Sequence, residues 1–272
     1  MRPLSLAALT VLGLSPEEHI LCAEKTGYQG VGLRLIPATQ TERHYPVLSD
    51  SARKARLIRL VQETGVKVFD IEVFRLEPST NIKDYLPYME FGIELGAKNM
   101  LVAGYDPDWS RMTENWNKLC ELSSPFGIKP HIEPMPWTCV KSYLDGVNLL
   151  ETTANGWGAI LIDPIHFFRT GGQVNQISSN HINRAAYIQL SDAPIEVPKD
   201  MAEILRQARE DRLPPGDGQL PLRALLELFP HDLPISLEVP LTVRWGCKNA
   251  EQKASLVLNH TLKMLQSFKQ EN

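Results

Sequence analysis

The sequence predicts one α/β domain over residues 1–272, a single (β/α)8 barrel with its active site at the C-terminal rim of the strands. Three observations carry this expectation. Short apolar runs alternate with helical stretches from end to end, the pattern of a parallel sheet covered by helices. Eight such runs can be counted, which favours closure into a barrel over an open doubly wound sheet. The length of 272 residues, 43% of them hydrophobic, suits one barrel with a sizeable core.

The expected strands are Leu4–Leu9, Gly30–Leu35, Val66–Ile71, Asn99–Ala103, Lys129–Glu133, Ala159–Asp163, Ala186–Leu190 and Ile235–Val239. Each is short and nearly continuous in apolar residues, as strands buried on both faces should be. Ser15-Pro16-Glu17-Glu18 reads as an N-cap, a proline at the first helical position and a capping-box glutamate, so a helix starts there. Asp50 or Ser51 caps a second helix through Thr64, which Gly65 ends. Helical stretches follow at Asn81–Leu95, Arg111–Leu122, Lys141–Thr153, Leu222–Phe229 and Ala250–Ser267. After Asp163 the helical signal is weak and centres on Val174–Ile182. An irregular insertion runs from Asp192 to Leu220 and holds a polar helical piece followed by Arg212-Leu213-Pro214-Pro215-Gly216-Asp217-Gly218. A long loop on the active rim is a common place for function.

Composition narrows the partners. Net charge is −4 and the pI about 6.0, with no long basic run, so nucleic acid is not expected. No apolar stretch reaches membrane-spanning length. Residues Met1 to Leu14 read as a first buried strand rather than a secretory signal, since no small-residue cleavage pattern follows. The 4 cysteines show no Cys-x-x-Cys spacing, so reduced thiols and a cytoplasmic location are expected.

Chemistry is suggested by where the oxygen side chains fall. Glu133, Asp163, Gln189 and Glu238 each end or nearly end one of four successive strand-like runs, so on a barrel they converge at one rim. Three carboxylates crowded together repel, and one divalent metal ion relieves this. Anionic and carbonyl oxygens suit Mg²⁺, Mn²⁺ or Co²⁺ rather than a structural zinc. His166, three residues after Asp163, is placed to act on a bound substrate. His131 shares a strand face with Glu133 and is expected to orient a ligand or substrate. Trp137 and Trp245 follow the fifth and eighth strands and are candidates to wall a pocket. Arg34, Arg75 and Arg212 offer guanidinium donors for substrate oxygens, with rim salt bridges as the alternative for Arg34 and Arg75.

With Glu133, Asp163 and His166, Gln189 and Asp192, Arg212 with its Pro-Pro-Gly-Asp-Gly turn, and Ser236-Leu237-Glu238, the chain resembles the xylose isomerase-like TIM barrels. That superfamily holds sugar isomerases and epimerases, inosose dehydratases and endonuclease IV. The likeness spans essentially the whole chain and is strongest from residue 129 onward. It implies a metal set of Glu133, Asp163, Gln189 and Glu238, catalysis by Glu133, Glu238 and His166, and substrate contacts from Arg212, Arg75, His131 and Trp137. It implies proton abstraction beside a carbonyl of a polyhydroxy ketone or cyclic hydroxy-ketone. Gln189 stands where many members have His, and Gln followed by Asp-Ala-Pro is similar to bacterial 3-dehydroshikimate dehydratases; Phe74-Arg75 points the same way. Gly32 and Arg34 on the second strand, and Val239-Pro240 after Glu238, depart from that branch. Isomerase or epimerase, dehydratase-like lyase and non-catalytic sugar-binding barrel therefore all stand as expectations. Members of the family are often dimers or tetramers, so a homo-oligomer is compatible with the resemblance.

Overall fold

The structure is a computed structural model that describes residues 2–39, 41–241, 245–247 and 249–270. Its strands are β1 (Leu4–Leu6), β2 (Gly30–Arg34), β3 (Lys67–Leu76), β4 (Asn99–Gly104), β5 (Lys129–Ile132), β6 (Ala159–Ile160), β7 (Ile188–Leu190) and β8 (Ile235–Leu237). Its helices are α1 (Pro16–Thr26), α2 (Ser51–Thr64), α3 (Leu86–Glu94), α4 (Trp109–Ser123), α5 (Tyr143–Glu151), α6 (Pro164–Arg169), α7 (Ser179–Arg184), α8 (Met201–Glu210), α9 (Leu222–Glu227) and α10 (Ala250–Gln270). All eight expected strands are present, and every strand pairing is parallel.

The sheet is barrel-like but not closed. Strand order is β6-β5-β4-β3-β2-β1-β8-β7, so the first and last strands pair through Ser5 and Ser236. No ladder joins β6 to β7, which corrects the expectation of a closed barrel. Both strands at the seam are short: β6 keeps only two residues before the chain turns into α6 at Pro164, and β7 has three. A single backbone bond crosses the seam, from the Gln189 N–H to the Ile162 carbonyl at 3.0 Å.

Local signals explain the element ends. The Ser15 hydroxyl accepts from the Glu18 N–H, and the Glu18 carboxylate accepts from the Ser15 N–H, closing the capping box of α1. Gly27 ends α1 at φ 88°, a left-handed position that costs other residues a steric penalty. The stretch expected as one helix from Asn81 divides into a 3₁₀ turn, Ile82–Tyr85, and α3, with Pro87 in the first turn of α3. Proline is tolerated there because its missing N–H has no intrahelical partner to lose. Helix α6 is stronger than the sequence suggested, because the Asp163 carboxylate caps it by accepting from the Ile165 N–H at 3.0 Å. The insertion carries α8, capped by the Asp200 side chain.

The main core lies between strands and helices and includes Leu6, Val31, Leu33, Ile71, Trp116 and Ile235. A smaller apolar cluster of Val73, Leu101, Ala103, Met135, Leu161 and Tyr187 is separate from it. Four of its members, Val73, Leu101, Ala103 and Met135, line a cavity at the rim. Among the described residues no helix is long and apolar enough to cross a membrane.

Candidate metal and active site

Glu133 directly follows β5 and hydrogen-bonds through its N–H to the Val102 carbonyl at 2.9 Å, which fixes its backbone at the rim. Asp163 caps α6, and His166 lies in the first turn of that helix. Their side-chain atoms gather within 4.8 Å of one another, and all three residues are buried. His166 Nε2 is 3.7 Å from Glu133 Oε1 and 3.7 Å from Asp163 Oδ2. These gaps are too long for hydrogen bonds. They match ligand atoms around one ion, which metal bonds of about 2.0–2.2 Å hold roughly 3–4 Å apart.

Several polar atoms in and near this group lack partners. Glu133 Oε1, His166 Nδ1 and Gln189 Oε1 are buried without a hydrogen bond. Burying such atoms is unfavourable by roughly 1–3 kcal/mol each unless something binds them. Burial pushes the Glu133 carboxyl well above the usual carboxylate range, with Glu238 and Asp163 adding like-charge repulsion and Arg212 offsetting part of it. Burial also holds the His166 imidazole well below its ordinary value, helped by the Arg212 charge. The group is thus short of positive charge and rich in lone pairs, and the residues fit a divalent cation.

Arg212 organises the rest. It is 1% exposed, and its Nη1 donates to Asp163 Oδ2 at 2.6 Å while its Nη2 donates to Glu238 Oε2 at 2.8 Å. It also donates to the Ala208 and Glu238 carbonyls, at 2.6 and 3.1 Å. Burial alone would lower its pKa; Asp163 and Glu238 more than reverse this. The sequence placed Arg212 as a substrate contact, whereas here it pairs two of the expected metal ligands.

The other expected residues divide into two groups. Trp137 lines the cavity and meets His166 edge to face, with ring centroids 4.9 Å apart. Arg75 also lines it, but its Nη1 donates to the Ala38 carbonyl at 2.6 Å and its Nη2 pairs with Glu77 at 2.7 Å. His131 is not among the cavity residues. Its Nδ1 lies 3.0 Å from the Lys129 carbonyl and its Nε2 accepts from the Ala186 N–H at 3.2 Å, so it fastens β5 to the approach of β7. Gln189 is 2% exposed, the middle residue of β7, and outside the cavity lining. Trp245 packs edge-on against His260, with centroids 6.3 Å apart, away from the cavity.

The cavity has a volume of about 420 Å³. Its walls hold Glu133, His166, Arg212 and Glu238 on one side of the ring, and Arg34, Glu42, Glu72 and Arg75 from β2, β3 and the loop after β2. Sequence reading did not assign a role to Glu72 or mark Asp70 and Glu42. A signal was available for the first two: acidic residues two apart in a strand share one face, and two of them in an otherwise buried strand need a reason. Arg209, on α8, was also missed; it stacks over the Trp137 ring at 5.4 Å.

The comparisons with known proteins agree with this architecture. A family model described as xylose isomerase-like TIM barrel matches residues 21–260, so the chain belongs to that family. Among solved structures, the IolI protein with a bound zinc atom is similar at TM-score 0.76 and 18% identity, over 98% of this chain and 99% of that one. A structure described as the probable 3-DHS dehydratase AsbF of Bacillus anthracis is similar at TM-score 0.72 and 13% identity, over 95% and 99%. A fusion of a xylose isomerase-like TIM barrel with a 4-hydroxyphenylpyruvate dioxygenase matches at TM-score 0.76 and 18% identity; this chain is covered completely but spans 44% of that protein. No curated protein matches. At these identities the structural likeness speaks for the fold.

Proposed function

We propose that this protein is a divalent-metal-dependent isomerase or epimerase of a sugar or sugar phosphate, working by proton abstraction next to a carbonyl. The observation that carries the reading is the buried Glu133–Asp163–His166 group, with Glu133 Oε1 and His166 Nδ1 left without a hydrogen bond, beside a cavity able to hold a small molecule. The residues that would hold the ion are Glu133, Asp163, Gln189 and Glu238, with His166 beside them. Mg²⁺, Mn²⁺ and Co²⁺ fit the oxygen donors, and the nearby imidazole and the zinc in the IolI structure add Zn²⁺ as a candidate. A bound ion supplies Lewis-acid polarisation of a carbonyl or adjacent hydroxyl oxygen.

The chain's own groups do the rest. Glu133 or Glu238 takes the proton from the carbon beside the carbonyl. Arg212 holds the Asp163 and Glu238 carboxylates in place. Trp137 and the apolar residues Val73, Leu101 and Met135 exclude water from the reacting atoms. Arg75 and Arg212 are the candidate contacts for substrate oxygens.

A second reading is a lyase like the 3-dehydroshikimate dehydratases. It is favoured by His166 standing within reach of the ion site, where it can serve as acid or base in loss of water, and by Gln189 on β7. One experiment separates the two. Chelator-treated protein is titrated with Mn²⁺, then offered ketoses and ketose phosphates in D₂O and, separately, 3-dehydroshikimate. Metal-dependent deuterium incorporation supports the isomerase or epimerase; metal-dependent formation of the aromatic product supports the lyase. Glu238→Gln should retain the fold and abolish turnover in either case, and full activity in that variant would overturn the metal-site assignment. A protein that binds a sugar but turns over nothing with metal present would be the non-catalytic barrel.

A further inference from the structure

The carboxylates around the cavity differ in how far they are already committed. Glu42 receives Arg34 Nη1 on both oxygens, at 3.1 and 3.0 Å, and its Oε2 also accepts the Ala38 N–H at 3.0 Å. Glu238 is paired with Arg212, and Glu133 and Glu238 belong to the ion site proposed above. Glu210, on α8, is exposed. Glu72 is the exception. It is 1% exposed and lines the cavity from β3, and its Oε1 has no partner. Its other oxygen meets only Arg34 Nη2, at a long 3.4 Å. Arg34 is itself held in place by Glu42, so its own Nε is left without a partner too. Two cavity-lining residues that each leave a buried polar atom unpaired, Glu72 Oε1 and Arg34 Nε, make half of a polar contact whose other half is a ligand.

We propose that Glu72 is a further catalytic residue: it exchanges a proton with the substrate held in this cavity, from the β3 wall rather than from the ion site. The proposal rests on the hydroxy-ketone reading above. On this proposal the Glu72 carboxylate, in place of Glu133 or Glu238, takes the proton from the carbon next to the carbonyl, and those two carboxylates serve the ion. The C–H electron pair forms the new carbon–carbon π bond, and the carbonyl π pair moves onto oxygen, giving an enediolate. Return of the proton to the same carbon reverses the flow; its delivery to the former carbonyl carbon is balanced by transfer of the neighbouring hydroxyl proton to the enediolate oxygen, so the carbonyl moves over by one carbon with no oxidant or reductant needed. Arg34 Nε is placed to donate to a neighbouring hydroxyl.

The surroundings tune Glu72 toward this task. Burial raises its pKa to about 7, with Arg34 pulling it down and Glu238 and Glu42 pushing it up. Asp70, Glu133 and Tyr187 also feel its charge. A base with a pKa near neutral both holds and releases protons readily.

The test does not require the natural substrate. Mn²⁺-loaded protein, its thiols capped beforehand with methyl methanethiosulfonate, is treated with 1-bromo-3-hydroxyacetone, a small hydroxy-ketone that esterifies a nearby carboxylate with loss of bromide. Peptide mapping of the hydroxylamine-releasable adducts should place one ester on Glu72. Glu72→Gln should lose that adduct while its Mn²⁺ affinity stays within about twofold. On any ketose for which the wild type shows metal-dependent deuterium exchange, Glu72→Gln should slow exchange by roughly a hundredfold or more. Esters on Glu133 or Glu238 alone, or no ester at all, would overturn the proposal. Failure of the wild-type protein to bind Mn²⁺ would instead overturn the metal reading, and the position of the ester is read independently of it.

Discussion

Arg212 holds two buried carboxylates with one guanidinium, Asp163 at 2.6 Å and Glu238 at 2.8 Å, both beside a third acid, Glu133, that has no cation of its own. Removing one partner of a buried ion pair leaves uncompensated charge, which costs about 3–5 kcal/mol. Arg212→Met should therefore lower the stability of metal-free protein by that order in urea denaturation at neutral pH. Added Mn²⁺ should restore more stability to the variant than it adds to the wild type, because the ion replaces the missing positive charge. Equal stabilisation of the two proteins by Mn²⁺ would mean that Asp163 and Glu238 do not share an ion.

At the scale of the element, the turn after Arg212 is held by one side chain. The Asp192 carboxylate accepts from the N–H groups of Ala193, Gly216, Gly218 and Leu220, at 2.8, 3.1, 2.9 and 3.1 Å. The backbones of Asp192 and Leu213 also exchange two hydrogen bonds, at 2.9 and 2.8 Å. Gly216 adopts φ 94°, and a Cβ on Gly218 would collide with the Asp192 carboxyl, which explains the glycine spacing in this turn. Asp192→Ala strands several buried N–H groups, so a loss of roughly 2–4 kcal/mol is expected from the shift in denaturation midpoint. Arg212 immediately precedes the bridged Leu213, so the same variant should bind Mn²⁺ more weakly. An unchanged Mn²⁺ affinity would show that the turn does not position Arg212.

Across the whole molecule, buried titratable groups oppose one another in pH. Burial lowers the pKa of His19 to about 4 and of His131 to about 3, and that of His166 well below its usual value. A group with a depressed pKa loses stability as pH falls, here from about 6.5, the unfolded imidazole value, toward the folded values. Burial raises Glu72 to about 7, and Asp70 and Glu133 well above the carboxylate range. A raised carboxyl contributes stability below its unfolded pKa and loses it as pH rises through the folded value. Metal-free protein should therefore be most stable near the unfolded histidine value and lose melting temperature as pH climbs above it. Glu72→Gln should remove the part of that decline that falls below about pH 7 and leave the part above it, which belongs to Asp70 and Glu133. A melting temperature that rises steadily to pH 8 would contradict these assignments.

The sequence by itself determined the alternation of strand and helix, the positions of all eight strands and the family, and it pointed to Glu133, Asp163 and His166, which the fold gathers. Those features are local: a buried parallel strand must be a short apolar run, and a side chain at its end must fall at the rim. The same local reading placed the caps at Ser15 and Asp50. The tertiary structure alone decided that β6 and β7 fail to form a ladder, because pairing depends on how soon each chain leaves the sheet. It decided that Arg212 faces two carboxylates and that both nitrogens of His131 are taken by backbone. It also brought Glu72 from β3 to the wall of a cavity it shares with Glu133, more than sixty residues away. Partners so distant in the chain leave no spacing to read, and only packing reveals which buried oxygen remains without one.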